Sequence, residues 1–144
     1  MYFPKNLGFI SIFKYSLFEI CPLFCLAESP NNVMIQRVGD AAKEIIAAAG
    51  EDLELECIAT GANPPAKLTW IANGQEIASS DPQEDKRQGE NQRTWTSFSR
   101  LTLPVSKEDN GASIECVATH PAMNEPLSAE KPLTIHCKCS KLSF

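Results

Sequence analysis

The sequence predicts an all-β fold: a two-sheet antiparallel sandwich closed by one inter-sheet disulfide. Three observations predict it. Apolar and polar residues alternate over several short runs between Asn32 and His136. Turn residues part these runs at roughly 8–12-residue spacing, the rhythm of short strands. Two cysteines, Cys57 and Cys116, fall on inward phases of their runs and enclose Trp70.

The elements follow in chain order. Glu28-Ser29-Pro30-Asn31-Asn32 is a polar break, and Val33, Met34, Ile35 and Val38 then suggest an edge strand. Asp40–Ala49 is rich in alanine, but a ten-residue stretch ending at Gly50 is a weak helix. Ile45-Ile46 fits the second half of a split first strand, and the strand is the reading adopted. Leu53, Leu55, Cys57 and Ala59 share one face of the next run, and Asp52, Glu54 and Glu56 share the other. Gly61-Ala62-Asn63-Pro64-Pro65 is a turn cluster. Leu68 and Trp70 point inward on the following strand, and Asn73-Gly74 reverses the chain. Residues 79–93 are polar and read as a loop or ragged edge with room for one short strand. Leu101, Leu103 and Val105 alternate with Arg100, Thr102 and Pro104. After the polar crossover Lys107–Gly111, Ile114, Cys116 and Ala118 alternate again. His120–Pro126 is a turn, and Leu133 and Ile135 mark a last strand.

The cysteines carry further information. Strand phase pairs Cys57 with Cys116, and Trp70 packs on the bond. The crosslink closes 59 residues, worth roughly 4 kcal/mol by loop entropy. It requires an oxidising compartment, hence an extracellular site. Cys21, Cys25, Cys137 and Cys139 lie outside the alternating region and, lacking nearby partners, make a poor zinc signature. The expected organisation is a signal-like or disordered leader at 1–27, one domain at 28–136 and a short tail at 137–144. Lys5, an aromatic-aliphatic stretch and Cys25-Leu26-Ala27 suit a secretion signal. Lys14 and Glu19 interrupt it, so the mis-assigned start of a gene fragment is the other reading. No uncharged run reaches the ~18 residues of a membrane span. The chain is therefore expected to be secreted as written, or to be the ectodomain fragment of a plasma-membrane protein.

Composition excludes some functions. The formal net charge of −5 disfavours nucleic acid and anionic membrane surfaces. Neither His120 nor His136, the two histidines, stands in a catalytic set. Ser97, Ser99 and Ser113 lie in strand patterns without an adjacent base. Glu54 and Glu56 read as a solvated strand face, and Asp109 as a residue bracing a turn. No carboxylate loop suits calcium, and no Asn-x-Ser/Thr acceptor occurs. No catalysis, cofactor or metal is expected.

Residues 50–136 resemble an immunoglobulin domain of the constant-like sets. Cys116-Val117-Ala118-Thr119-His120-Pro121 is similar to the C-x-V-x-H-P run of constant-type domains, with Ala118 in place of Val. Lys107–Gly111 leading into that run resembles the second immunoglobulin domain of nectin-like, or synaptic, cell adhesion molecules. The segment Asn63 to Gly74 also resembles nephrin-like and other neuronal recognition receptors. One departure is Ile114, where a tyrosine often stands two residues before the second cysteine. The resemblance implies an extracellular module that binds other cell-surface proteins, either copies of itself or other immunoglobulin-family chains. Its outer neighbour would make the main contact between cells, and this domain would space it or support contacts on one cell. The alternative is a secreted immune-type binder or decoy with a single domain. Asn63, Pro64, Pro65, Met123 and Asn124 are the candidate binding residues, because loops after the second and sixth strands share one end of such a sandwich. Trp70 is expected in the core. Trp95, opening a strand after the polar loop, is a candidate for either core or contact surface.

Overall fold

A computed structural model describes residues 27–80, 85–89 and 93–138. Most of the expected leader, Cys21, Cys25, Cys139 and the end of the tail lie outside these residues. The described chain forms β1 (Asn32–Arg37), β2 (Ile45–Ala48), β3 (Asp52–Ala62), β4 (Lys67–Ala72), β5 (Gln75–Ile77), β6 (Asp85–Gln88), β7 (Trp95–Pro104), β8 (Ser113–Thr119) and β9 (Leu127–His136). A single 3-10 turn, Lys107–Asp109, precedes β8. One sheet runs β1-β3-β7-β6 and the other β2-β9-β8-β4-β5. Sheet pairing is antiparallel except between β2 and β9, which run parallel.

The first strand is split, as the Ile45-Ile46 pattern predicts. β1 pairs with β3 in one sheet, and β2 pairs with β9 in the other. The switch is clamped by Arg37 at the end of β1. Its guanidinium donates to the Ile46 carbonyl at 2.6 Å and to the Glu51 carboxylate. Glu51 also accepts from the Ala48 N–H at 2.9 Å. That backbone bond, followed by the charge of Arg37, holds the Glu51 carboxyl below the ordinary glutamate range despite a counteracting desolvation. The clamp is therefore intact at neutral pH and is lost as pH falls through the lowered value.

Asn73-Gly74 forms the tight reversal between β4 and β5. Both central residues have positive φ, 49° and 80°. That combination matches the twist of a two-residue hairpin and is why asparagine and glycine stand there. The polar crossover before β8 is also locally fastened. Asp109 accepts from the Ser106 N–H at 2.7 Å and from its hydroxyl at 3.0 Å. The Asn110 side chain accepts from the Ile135 N–H at 2.9 Å, serving as a strand partner. Asp109 thus braces a turn. The polar stretch 79–93 holds the short strand β6, paired with β7.

The core is one layer between the sheets. Cys57 and Cys116 are bonded, with Cα atoms 6.4 Å apart. Trp70 is 1% exposed and lies in direct register with Cys116. Its indole N–H donates to the Ser99 hydroxyl at 3.0 Å, and Ser99 is the register partner of Cys57. Two links therefore join the sheets at one level, one covalent and one polar. Ile114 is fully buried where a tyrosine corner would need a hydroxyl partner. Ile35, Leu53, Leu55, Leu101 and Leu133 fill the remaining depth.

Ser97 and Ser99 sit two residues apart on the same inward face of β7, yet their hydroxyls differ. Ser99 satisfies Trp70, whereas the buried Ser97 Oγ has no hydrogen-bond partner among the described residues. A buried hydroxyl without a partner carries its desolvation cost uncompensated. Ser99→Ala should therefore cost about 1–3 kcal/mol by stranding the indole N–H. Ser97→Ala should be neutral or stabilising by up to about 1 kcal/mol. Urea unfolding followed by tryptophan fluorescence measures both, and equal losses would contradict the assignment.

Candidate binding surface at the loop end

The two loops that carry the five candidate binding residues lie at the same end of the sandwich. β3 delivers Asn63-Pro64-Pro65 there, and β8 delivers His120 and the turn that follows it. β4 starts at the same end, with Lys67 opposite Thr119. Residues 28–31, just before β1, also pass this end. Glu28 and Asn63 exchange two backbone hydrogen bonds of 2.8 Å, and the Asn31 N–H donates to the Thr60 carbonyl at 2.9 Å. Gly61 makes this possible: its φ is +82°, and a Cβ there would meet the Asn31 amide at 2.7 Å. The register of β3 against β7 shifts between Ala59 and Ala62, which places a bulge at Thr60-Gly61.

His120 joins the two loops. Its side chain is nearly buried, at 6% exposure. Nε2 lies 2.8 Å from the Pro64 carbonyl, and Nδ1 accepts from the Ala122 N–H at 3.1 Å. A carbonyl can only accept, so Nε2 carries the proton and Nδ1 does not. The ring is the neutral Nε2–H tautomer, fixed by one loop on each nitrogen. The His120 carbonyl also accepts from the Met123 N–H at 3.0 Å, tightening the turn. The Asn63-Pro64 bond is cis. Pro64 and Asn124 are exposed; Asn63, Pro65 and Met123 are half-buried. A pre-tied pair of proline-bearing loops loses little entropy when it makes a contact.

Two features of this end are not apparent from the sequence. Trp95 is half-buried and in register with Ala62, one residue before Asn63, so it stands at the mouth of the sandwich beside the first loop. Nothing local in the sequence shows this, because the bulge sets that register. His120 reads as a structural residue in the sequence, and its bridging role emerges only when Pro64 is placed 56 residues away in the chain. Ser99, Ser113 and Glu56 are engaged structurally. Ser99 holds Trp70, and Ser113 donates to Glu130. Glu56 accepts from Gln36 at 3.1 Å and pairs with Arg100 at 3.4 Å, and Glu54 is exposed beside it. Among the described residues no His, Cys, Asp or Glu cluster is arranged to hold a metal, and Cys137 is a free, exposed thiol.

Residues 40–126 match the CD80-like C2-set immunoglobulin domain. The chain belongs to that immunoglobulin family. As a C2-set immunoglobulin domain it is 34% identical over 88 residues to cell adhesion molecule 2 of Xenopus tropicalis, which covers 60% of this chain and 20% of that protein. It is 30% identical over 109 residues to cell adhesion molecule 1 of Mus musculus, covering 76% of this chain and 22% of that protein. Nephrin of Mus musculus is 40% identical over 68 residues, or 47% of this chain and 5% of that protein. The chain thus spans about a fifth of the cell adhesion molecules it matches. Among solved structures, Rst D1-D2 superposes with a TM-score of 0.66 at 26% identity, over 76% of this chain and 51% of that one. The mouse nectin-like molecule 4 ectodomain shares the fold, with a TM-score of 0.62 at 19% identity, over 77% of this chain and 35% of that one. This immunoglobulin domain has β2 and β5 added to the β9-β8-β4 core of its second sheet.

The His120 bridge is testable. His120→Ala removes both loop contacts and leaves the Pro64 carbonyl and Ala122 N–H without their ring partners. It should lower stability by about 1–3 kcal/mol. Amide exchange should speed up across 120–124 while β3 and β8 stay protected. Unchanged exchange at Ala122 and Met123 would show that the ring does not hold the loops.

Proposed function

We propose that this chain is an extracellular immunoglobulin module of a cell-adhesion or cell-surface recognition protein, acting by protein–protein binding through its loop end. The observation that carries the reading is the His120 bridge, which ties two exposed proline-bearing loops into one fixed surface. Core residues need no such surface, and connecting loops on a rigid sandwich are where binding residues concentrate. The similarity to cell adhesion molecules 1 and 2 supports the class of partner, namely other cell-surface proteins. The disulfide supports an oxidising, extracellular location. The unit that acts is the span 28–136, with 1–27 as a leader and 137–144 as a tail. Asn63, Pro64, Pro65, Met123 and Asn124 supply the contact, with Trp95 at its edge. Binding needs no catalytic group, cofactor or metal.

A bead-displayed panel of cell-surface ectodomains tests this reading. Wild-type chain should select a partner, and Pro65→Glu with Met123→Glu should weaken that binding about tenfold or more. The thermal midpoint should barely move, because both residues lie outside the core layer. If binding survives that pair but is lost on Glu54→Lys with Glu56→Lys, the sheet face is the interface and the loop-end reading is wrong.

A further inference from the structure

β9 is longer than the strand that covers its edge. β8 pairs with it from Leu127 to Pro132, whereas β2 pairs with it only from Leu133 to His136. The backbone bonds of Leu133 fix which way each residue of β9 turns. Leu133 donates its N–H to Ala112 and accepts from Gly111, both on the β8 side. Successive residues of a strand turn their backbone groups to opposite edges. Ser128 and Glu130 therefore turn theirs away from β8, to the edge that β2 does not reach. The bond from the Ala49 N–H to the His136 carbonyl on that edge agrees with the phase. Ser128 and Glu130 are exposed, and among the described residues none of their four backbone groups has a backbone partner.

A groove of about 360 Å³ opens beside this stretch. Val33 of β1, Ala41 and Ala42 of the link between β1 and β2, and Ala129 of β9 are among its walls, so small side chains leave it room. Lys43 and Lys131 also border it, and neither has an ion-pair partner among the described residues. Lys131 is half-buried and holds the same strand phase as Leu133 and Ile135, which face the core. The bordering acid, Glu130, does not neutralise these charges, because its carboxylate accepts from the Ser113 hydroxyl. A lysine turned inward on an open edge repels an apolar strand. The same charge attracts a strand that brings a carboxylate, so it selects rather than seals.

We infer that the open stretch of β9 takes an extended, acidic peptide segment of another protein as an added strand. Ser128 and Glu130 supply the main-chain hydrogen bonds, and Lys43 and Lys131 pair with the segment's carboxylate. The site uses none of the loop-end residues, so either surface can fail without the other.

A displayed library of random peptides tests this on the full chain with free thiols alkylated. Peptides of about eight residues, at about 3.3 Å per residue, overspan the open stretch. Selection on the wild type should enrich peptides that carry Asp or Glu within an alternating apolar pattern. A synthetic copy of an enriched peptide should slow solvent exchange of the Ser128 and Glu130 amides. Lys43→Glu with Lys131→Glu should weaken its binding at least about tenfold. Lys67→Glu with Lys107→Glu makes the same change in net charge elsewhere and should leave binding unchanged. Ser128→Pro removes one outward N–H without touching the β8 ladder, and should also weaken binding at least about tenfold. Methylating alternate amides of the peptide should abolish binding in one frame and spare it in the other, as only one frame faces β9. Thermal midpoints confirm that each variant is folded. The inference is overturned if no peptide is enriched, or if the enriched peptides lack an acidic residue. Binding indifferent to Ser128→Pro, or weakened equally by both lysine pairs, overturns it too.

Discussion

The bond between Cys57 and Cys116, with Trp70 beside it, is the constraint on which the rest of the domain depends. It fixes two points on opposite sheets, and the indole fills the space next to them. The level of that layer then decides which residues face inward. In one sheet Ile35, Cys57 and Ser99 share the row; in the other Trp70, Cys116 and Ala129 do. The hydrogen bond from Trp70 to Ser99 lets a polar atom of a large aromatic be buried without loss. Every strand that packs on this layer must keep the same phase, because a one-residue slip would turn its apolar set to water.

A rigid centre holds the periphery in a fixed geometry. The loop end hangs on one histidine whose two nitrogens serve two loops. The open edge of β9 is set by the residue at which β2 begins. The split first strand contributes to both. β2 leaves Ser128 and Glu130 uncovered, and Asn31 just before β1 pins the bulge at Gly61 near the loop end. Arg37 and Glu51 stabilise the crossing from one sheet to the other, so the edge stays in place.

Much of this was legible in the sequence, and the reasons are local. Leu53, Leu55, Cys57 and Ala59 announce their strand by period two, and Asn73-Gly74 announces its turn by backbone chemistry. Ile45-Ile46 gave the second half of the split strand because ten alanine-rich residues cannot sustain a helix against a following glycine. The open edge of β9 was not legible. Leu133 and Ile135 announce the strand, but only register shows that β2 leaves Ser128 and Glu130 uncovered. The place of Trp95 was hidden for a similar reason, since the bulge at Thr60-Gly61 determines which residue it faces. Of the candidate binding residues, proximity followed from topology, but the bridge that fixes them required the placement of His120 against Pro64.

If the covalent layer governs the fold, removing it should be felt by the whole domain at once. Urea unfolding of the oxidised chain against the Cys57→Ala, Cys116→Ala double variant measures this directly. The account predicts a loss of roughly 4 kcal/mol in a single cooperative transition, with a larger dependence on urea as the uncrosslinked denatured chain expands. An unchanged midpoint would contradict it, because the sheets would then be held by packing that does not need the bond.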